Sequence, residues 1–361
     1  MSVQTSGAHG LISMSIGVFT LAMALGALSL PVRGQQIYVA YGSGLIGEYN
    51  PDGTPVNTSL ITGLSEPYGL AISGTNIFAA NMGYEVVGEY TTSGATVNAS
   101  LIKLFGPYYS LSLAVSGTNL FVGSGMGGGG PGFIGEYTTC GATNNASLIT
   151  GLKYPVGLAI SGSNIFVADE TMEVIGEYTM SGATVNPSLI AFRGPGGIAI
   201  SGTNIFVADY WSGVIREYTT SGATVNASLI TGLNYPVGVA ISGNQLFVLS
   251  GAWVVGEYTT SGATINASLI TGSGQPYSMA VVLEPGIVSI SLAGTNLVLN
   301  GSNGISGQTC FVLKNTNLTQ PLSRWQPVAT NVVNSNGNFT ITATNAVDTT
   351  ASECFYILKM Q

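Results

Sequence analysis

Six recurrences of a Glu-Tyr pair, four short β-type runs within the recurring unit, and a terminal segment that supplies the run missing from the first unit predict an all-β chain. The fold they specify is a six-bladed β-propeller followed by a small β-sandwich. The pair begins at Glu48, Glu89, Glu136, Glu177, Glu217 and Glu257, with spacings of 41, 47, 41, 40 and 40 residues. A period near 40 belongs to propellers and solenoids, because such a unit buries its apolar faces only against its neighbours.

The first element precedes the repeat. Leu11 to Leu30 is a largely apolar run of 20 residues, followed by Pro31-Val32-Arg33-Gly34 and then polar Gln35-Gln36. Val32 and Gly34 suit the small-residue positions before a signal-peptidase cut, so residues 1–34 are expected to be an export signal cleaved near Gly34. The first ten residues carry no Lys or Arg, unlike an ordinary signal, and the run is long enough to span a bilayer. A retained N-terminal anchor is therefore the alternative. Cleavage would give a secreted, periplasmic or cell-surface protein with no membrane attachment.

The unit from Pro195 shows how one blade is built. Ile198–Ile200 is followed by the turn Ser201-Gly202-Thr203-Asn204, and Ile205–Ala208 is a second apolar run. Val214–Thr219 is the third, ended by Ser221-Gly222, and Thr224–Ile230 is the fourth. Runs this short, rich in Val, Ile, Thr, Phe and Tyr and punctuated by Gly and Asn, are strands. The first unit, from Ile37, lacks its first run, and Gln275–Val282 after the sixth unit matches the missing one. The array therefore closes on itself and removes two free sheet edges. Residues 35–284 are assigned to the six-bladed ring.

The units PVGLAISGSNIFVAD…VIGEY and PGGIAISGTNIFVADYWSGVIREY resemble NHL-type propeller repeats of secreted bacterial proteins. The resemblance covers about 250 residues, from Gln35 to Glu284. It implies the fold, and a function drawn from binding proteins, lactonases and lyases. Family repeats carry a more charged third strand. Here Gly176 or Gly256 fills that place, and only Arg216 is basic. Related propeller lyases use histidines, which this chain lacks beyond its first segment.

From Gly286 the repeat stops. Residues 285–361 hold β-type runs at Val288–Leu292, Leu297–Leu299, Cys310–Leu313, Pro327–Thr330, Phe339–Thr344 and Phe355–Leu358. Charge shifts as well: residues 35–284 hold 4 basic and 14 acidic groups, residues 285–361 hold 3 and 2. A separate small β-sandwich is expected. It resembles a C-terminal accessory module of secreted bacterial proteins, through Phe311-Val312-Leu313, Trp325, Gly337-Asn338-Phe339 and Phe355-Tyr356. Cys310 and Cys354 both open β-type runs of this domain, and export would permit a disulfide between them. Cys140 replaces the Ser of a repeated surface turn and is expected to be free.

Composition excludes several functions. Charged residues make up 7% of the chain, against about 25% in an ordinary soluble domain. With 8 basic and 16 acidic residues there is no phosphate-neutralising patch, so no nucleic-acid partner is expected. The one histidine, His9, lies in the expected signal. The rest of the chain has no Ser-His-Asp triad, no Cys-His pair and no imidazole metal ligand. Gly127 to Gly130 is no phosphate loop, since no Gly-Lys-Ser/Thr follows.

Turns after strands one and three share one face of a propeller, and here they are monotonous Ser-Gly-Thr-Asn and Thr-Thr-Ser-Gly-Ala. The other rim varies from blade to blade. Its candidate ligand-binding residues are Tyr84, Glu85, Tyr108, Tyr154, Asp169, Asp209, Tyr210, Trp211, Tyr235 and Trp253, and the links between blades add Glu66, Tyr68, Tyr109, Arg193 and Tyr277. Aromatic rings with scattered acids suit a glycan or a peptide. The repeated glutamates sit on third strands, away from the channel, and are read as hydrogen-bond acceptors within each blade. Asn98, Asn145, Asn226 and Asn266 each head an Asn-Ala-Ser glycosylation acceptor, which recurs because the strand recurs.

Two functions compete. One is a non-catalytic binding or scaffold propeller, monomeric and without cofactor, that takes an extracellular glycan, protein or peptide on its variable rim. The other is a metal-assisted hydrolase or lactonase using carboxylates at the channel mouth, with Asp169, Asp209 and Asn81 as oxygen ligands suited to Ca²⁺.

Overall fold

The computed structural model describes residues 11–15, 28–29 and 35–360, apart from 105–108, 127–129, 252, 273, 284–285, 294, 303–308, 318–319, 321, 333–338 and 347–352. The chain forms two compact units, one of them Gln36–Val282 and the other built around Leu283–Gln361. The first is a ring of six antiparallel four-stranded sheets. Blade 5 is typical, with strands Pro195–Ser201, Asn204–Asp209, Val214–Thr219 and Thr224–Ile230 in that order from channel to periphery. Its first hairpin closes on the Ser201–Asn204 pair through a two-residue turn led by Gly202 at φ +57. The ring closes as expected: Pro276–Leu283 is the inner strand of the sheet that continues with Gln35–Tyr41, Leu45–Tyr49 and Pro55–Ile61.

The middle of the second strand is apolar because it is covered on both faces. In blade 5, Ile205 and Val207 pack with Phe166, Ala168 and Ile190 of blade 4. Phe206 and Ala208 pack with Leu246, Val248 and Tyr258 of blade 6. Alternate residues of one strand thus serve two different interblade cores, and all four are at most 2% exposed.

The third strand carries the repeated glutamate, and its role is structural. Asn164 Nδ2 donates to Glu177 Oε1 at 2.6 Å and Asn204 Nδ2 to Glu217 Oε1 at 2.7 Å. The same bond joins Asn76 to Glu89 and Asn119 to Glu136, with Gln245 serving Glu257. The glycine before this glutamate accommodates the tyrosine that follows it. A Cβ on Gly176 would lie 2.8 Å from the Tyr178 ring, which folds back over it. Blade 5 has Arg216 there instead, and its guanidinium sits over the Phe192 ring and pairs with Asp209.

The Asn-x-Ser repeat of the fourth strand has a local cause. Asn226 Oδ1 accepts the backbone N–H of Ser228 at 3.0 Å, beside a register shift against the third strand. Asn186 makes the same bond to Ser188 at 3.2 Å, although Pro187 between them spoils the glycosylation acceptor. The turn, rather than modification, accounts for the repetition.

The second unit contains two four-stranded sheets. Leu11–Ser15, Glu353–Met360, Thr309–Asn315 and Gln326–Val332 form one, and Leu28–Ser29, Gly286–Ala293, Asn296–Ser302 and Phe339–Ala343 the other. Leu297, Leu299, Val312, Phe339, Ile341 and Tyr356 make its core. The register corrects the expected disulfide. Cys310 stands opposite Met360, six residues from Cys354 along the same neighbouring strand, a separation of about 20 Å. A disulfide needs Cα atoms within about 7 Å. Cys310 is instead a free, fully buried thiol that donates to the Asn331 carbonyl at 3.2 Å. Its burial holds its pKa above the usual thiol value. Cys140 is free and exposed.

Candidate functional site

Among the described residues, every large aromatic side chain that is exposed lies on the variable rim: Tyr84 (59%), Trp211 (54%), Tyr235 (49%) and Trp253 (48%). Tyr84 ends a single helical turn, Met82–Tyr84. Glu85, Glu173 and Trp253 follow in left-handed backbone, at φ 56, 59 and 65, at the turn position where blades 1 and 5 place Gly44 and Gly213. A side chain there costs about 1 kcal/mol or more. Tyr108 lies outside the described residues.

The channel opens on this rim as a cavity of about 300 Å³. The inner strands supply an apolar ring of Leu70, Leu113, Leu158, Ile198, Val239 and Met279, and the mouth above is lined by Tyr68, Glu170, Tyr210, Gln275 and Tyr277. Tyr68 of blade 2 and Tyr277 of blade 1 stack with centroids 4.8 Å apart. Tyr210 of blade 5 packs on Tyr235 at 5.0 Å and edge-on to Trp211 at 5.1 Å. The Arg193 guanidinium covers Trp211, 4.9 Å from its centroid.

Glu170 is half-buried, and burial, followed by the neighbouring Asp169 charge, pushes its carboxyl above the usual range. Burial likewise raises Tyr68, with further contributions from Tyr154, Glu170, Tyr277 and Tyr210. Tyr277, Tyr68, Glu170 and Tyr210, from blades 1, 2, 4 and 5, thus line one mouth. Nothing in the spacing of Tyr68, Tyr277 and Glu170 marks them as neighbours, because ring closure brings them together.

Asp169 and Asp209 lie elsewhere. Asp169 is fully buried, and its carboxylate accepts the backbone N–H groups of Lys153 at 2.7 Å, Tyr154 at 3.1 Å and Met172 at 3.0 Å. Asp209, 1% exposed, takes Arg216 Nε at 2.7 Å and the Ser212 N–H at 2.9 Å. Asn81, at the same blade position, accepts the Ser65 N–H at 3.0 Å. Each is bound into its own blade, and these residues do not fit a Ca²⁺ site. Among the described residues no group of three or more His, Cys, Asp and Glu side chains converges to hold a metal. The metal-assisted hydrolase or lactonase therefore finds no ligand set there.

Neither a protein-family model nor a curated protein matches the sequence. Among solved structures, the chain is similar to one from a nidogen/laminin complex, with 14% identity and a TM-score of 0.57 over 69% of this chain and 98% of that one. Regucalcin, a calcium-binding protein from Agrobacterium tumefaciens, aligns over 60% of this chain and 78% of its own at 16% identity, with a TM-score of 0.48. The computationally designed Ika8 protein aligns over 75% of this chain and 80% of its own at 12% identity and 0.42. At such identity the first of these likenesses establishes the fold alone. The chain is a six-bladed β-propeller joined to a second all-β unit.

Proposed function

We propose that this is a non-catalytic binding propeller, acting outside the cytoplasm as a monomer, whose ligand is a glycan or a peptide held at the variable rim. The observation that carries the reading is the gathering of aromatic side chains around one channel mouth, above a cavity with an apolar floor. Flat rings offer large contact area at little conformational cost, and they stack on sugars or clamp peptides. The solved neighbour from a nidogen/laminin complex supports a protein partner for this fold. A glycan and peptide array probed with the full chain identifies the ligand. Trp211→Ala should then weaken binding roughly thirtyfold, the effect of losing an anchor of about 2 kcal/mol. Ser221→Ala, on the repeated face, should leave it unchanged. The opposite pattern would move the site off this rim.

Export rests on the apolar run before Val32 and Gly34. N-terminal sequencing of protein recovered outside the cell should give Gln35 or a close neighbour. In the structure Leu11–Ser15 and Leu28–Ser29 are edge strands of the second unit, so cleavage would pass both edges to Glu353–Met360 and Gly286–Ala293. An intact N-terminus on the mature protein would mean that these strands stay.

A further inference from the structure

We propose that the channel mouth binds an organic cation, an alkylammonium or quaternary ammonium group seated among Tyr68, Tyr210 and Tyr277 with Glu170 as its counter-ion. The proposal rests on the binding reading above and specifies its ligand chemistry. Among the described residues, three tyrosines line the cavity together with one carboxylate, and no Lys, Arg or His lines it. A cation over a phenol face is drawn to the negative side of the ring, most strongly where water is excluded.

Among the described residues no Lys or Arg forms an ion pair with Glu170. Its backbone is held, with its N–H donating to the Tyr154 carbonyl at 3.0 Å and its own carbonyl accepting from Glu173 at 3.3 Å. Among the described residues the one ion pair is Arg216 with Asp209, so Glu170 has none. The other nearby guanidinium, Arg193, covers Trp211. Asp169 beside Glu170 spends its carboxylate on backbone N–H groups and adds negative potential, as does the excess of 14 acidic over 4 basic groups in the propeller. A half-buried carboxylate without a cation leaves a desolvated charge uncompensated, and a ligand cation would supply the missing partner.

The cavity suits such a head group sterically. Its volume is about 300 Å³, and Gly69, Gly157, Gly196, Gly197 and Gly238 contribute backbone to its wall. The apolar ring below accepts an aliphatic chain, so the shared chemistry covers both a free amine such as choline and a lysine or methylated lysine side chain of a peptide.

Calorimetric titration of the full chain with choline, with its neutral isostere 3,3-dimethylbutan-1-ol, and with peptides bearing lysine or trimethyllysine tests the proposal and separates the two sources. Choline or one of the peptides should bind, and choline should bind roughly thirtyfold more tightly than the isostere. Glu170→Gln should remove most of that preference, while leaving isostere binding unchanged and the melting temperature no lower. Tyr68→Leu and Tyr277→Leu should weaken cation binding in wild-type and Glu170→Gln backgrounds alike. Equal binding of choline and isostere, or a preference that survives Glu170→Gln, would overturn the proposal. If no cation binds while a glycan or neutral peptide binds through Trp211, the cation assignment falls and the binding reading stands. If nothing binds at the mouth, both fall.

Discussion

Asp169→Ala should lower the stability of the propeller by about 3 kcal/mol, since it strands backbone donors that cost about 1–3 kcal/mol each when left unpaired in a buried place. The side chain is fully buried and accepts three N–H groups, from Lys153, Tyr154 and Met172. Two belong to the link that enters blade 4 and one to the turn after its second strand, so a single carboxylate joins two segments of the rim. The thermal midpoint should fall by about 6–12 °C at roughly 2–4 °C per kcal/mol for a unit of this size. Asp169→Asn is the informative partner. Tyr154 and Met172 both bond Oδ1 and can keep their acceptor, whereas the bond from Lys153 to Oδ2 is lost. Its loss should be about 1 kcal/mol. If Asp169→Ala melts like the wild type, the carboxylate is not holding the link.

Gly197→Ala should cost about 1–3 kcal/mol, because the added Cβ meets backbone that cannot rotate away. It would lie 2.8 Å from Gly238 Cα and 3.1 Å from the Val237 carbonyl, both in the inner strand of the next blade. Near the axis the inner strands converge, and a methyl group between them must push two blades apart. Gly238→Ala is the control. Its Cβ would meet Leu249 at 3.6 Å and nothing closer, so its effect should stay within about 0.5 kcal/mol. Urea unfolding of the two variants checks the contrast, and similar midpoints would mean that the blades are not in tight contact there.

Much of the scaffold was legible because it repeats. A strand buried on both faces must be apolar along its middle, and the four central residues of NIFVAD state this in two blades, with variants in the others. The glutamates read as structural from their place on the third strand, and in blades 2 to 5 their partner is the Asn that ends the first hairpin, itself part of the repeat, with Gln245 in its place in blade 6. Ring closure was legible because the first unit lacks a strand that the last segment possesses.

What sequence could not decide is which variable residues face water and which meet each other. Asp169 and Asp209 end their second strands just before the variable turns, where carboxylates ordinarily face solvent, yet local N–H groups and Arg216 draw them inward. Cys310 and Cys354 both open strands of one small domain, but antiparallel register sets them six residues apart along the sheet, and no spacing rule carries register. Tyr68, Glu170, Tyr210 and Tyr277 come from four blades and lie up to 209 positions apart in the chain. By itself, then, the sequence determined the blade, its number and its closure, since these follow from local patterns repeated within the chain. The tertiary structure alone decided the composition of the channel mouth, because a ring of six sheets makes neighbours of residues whose only common property is their position at the same end of a strand.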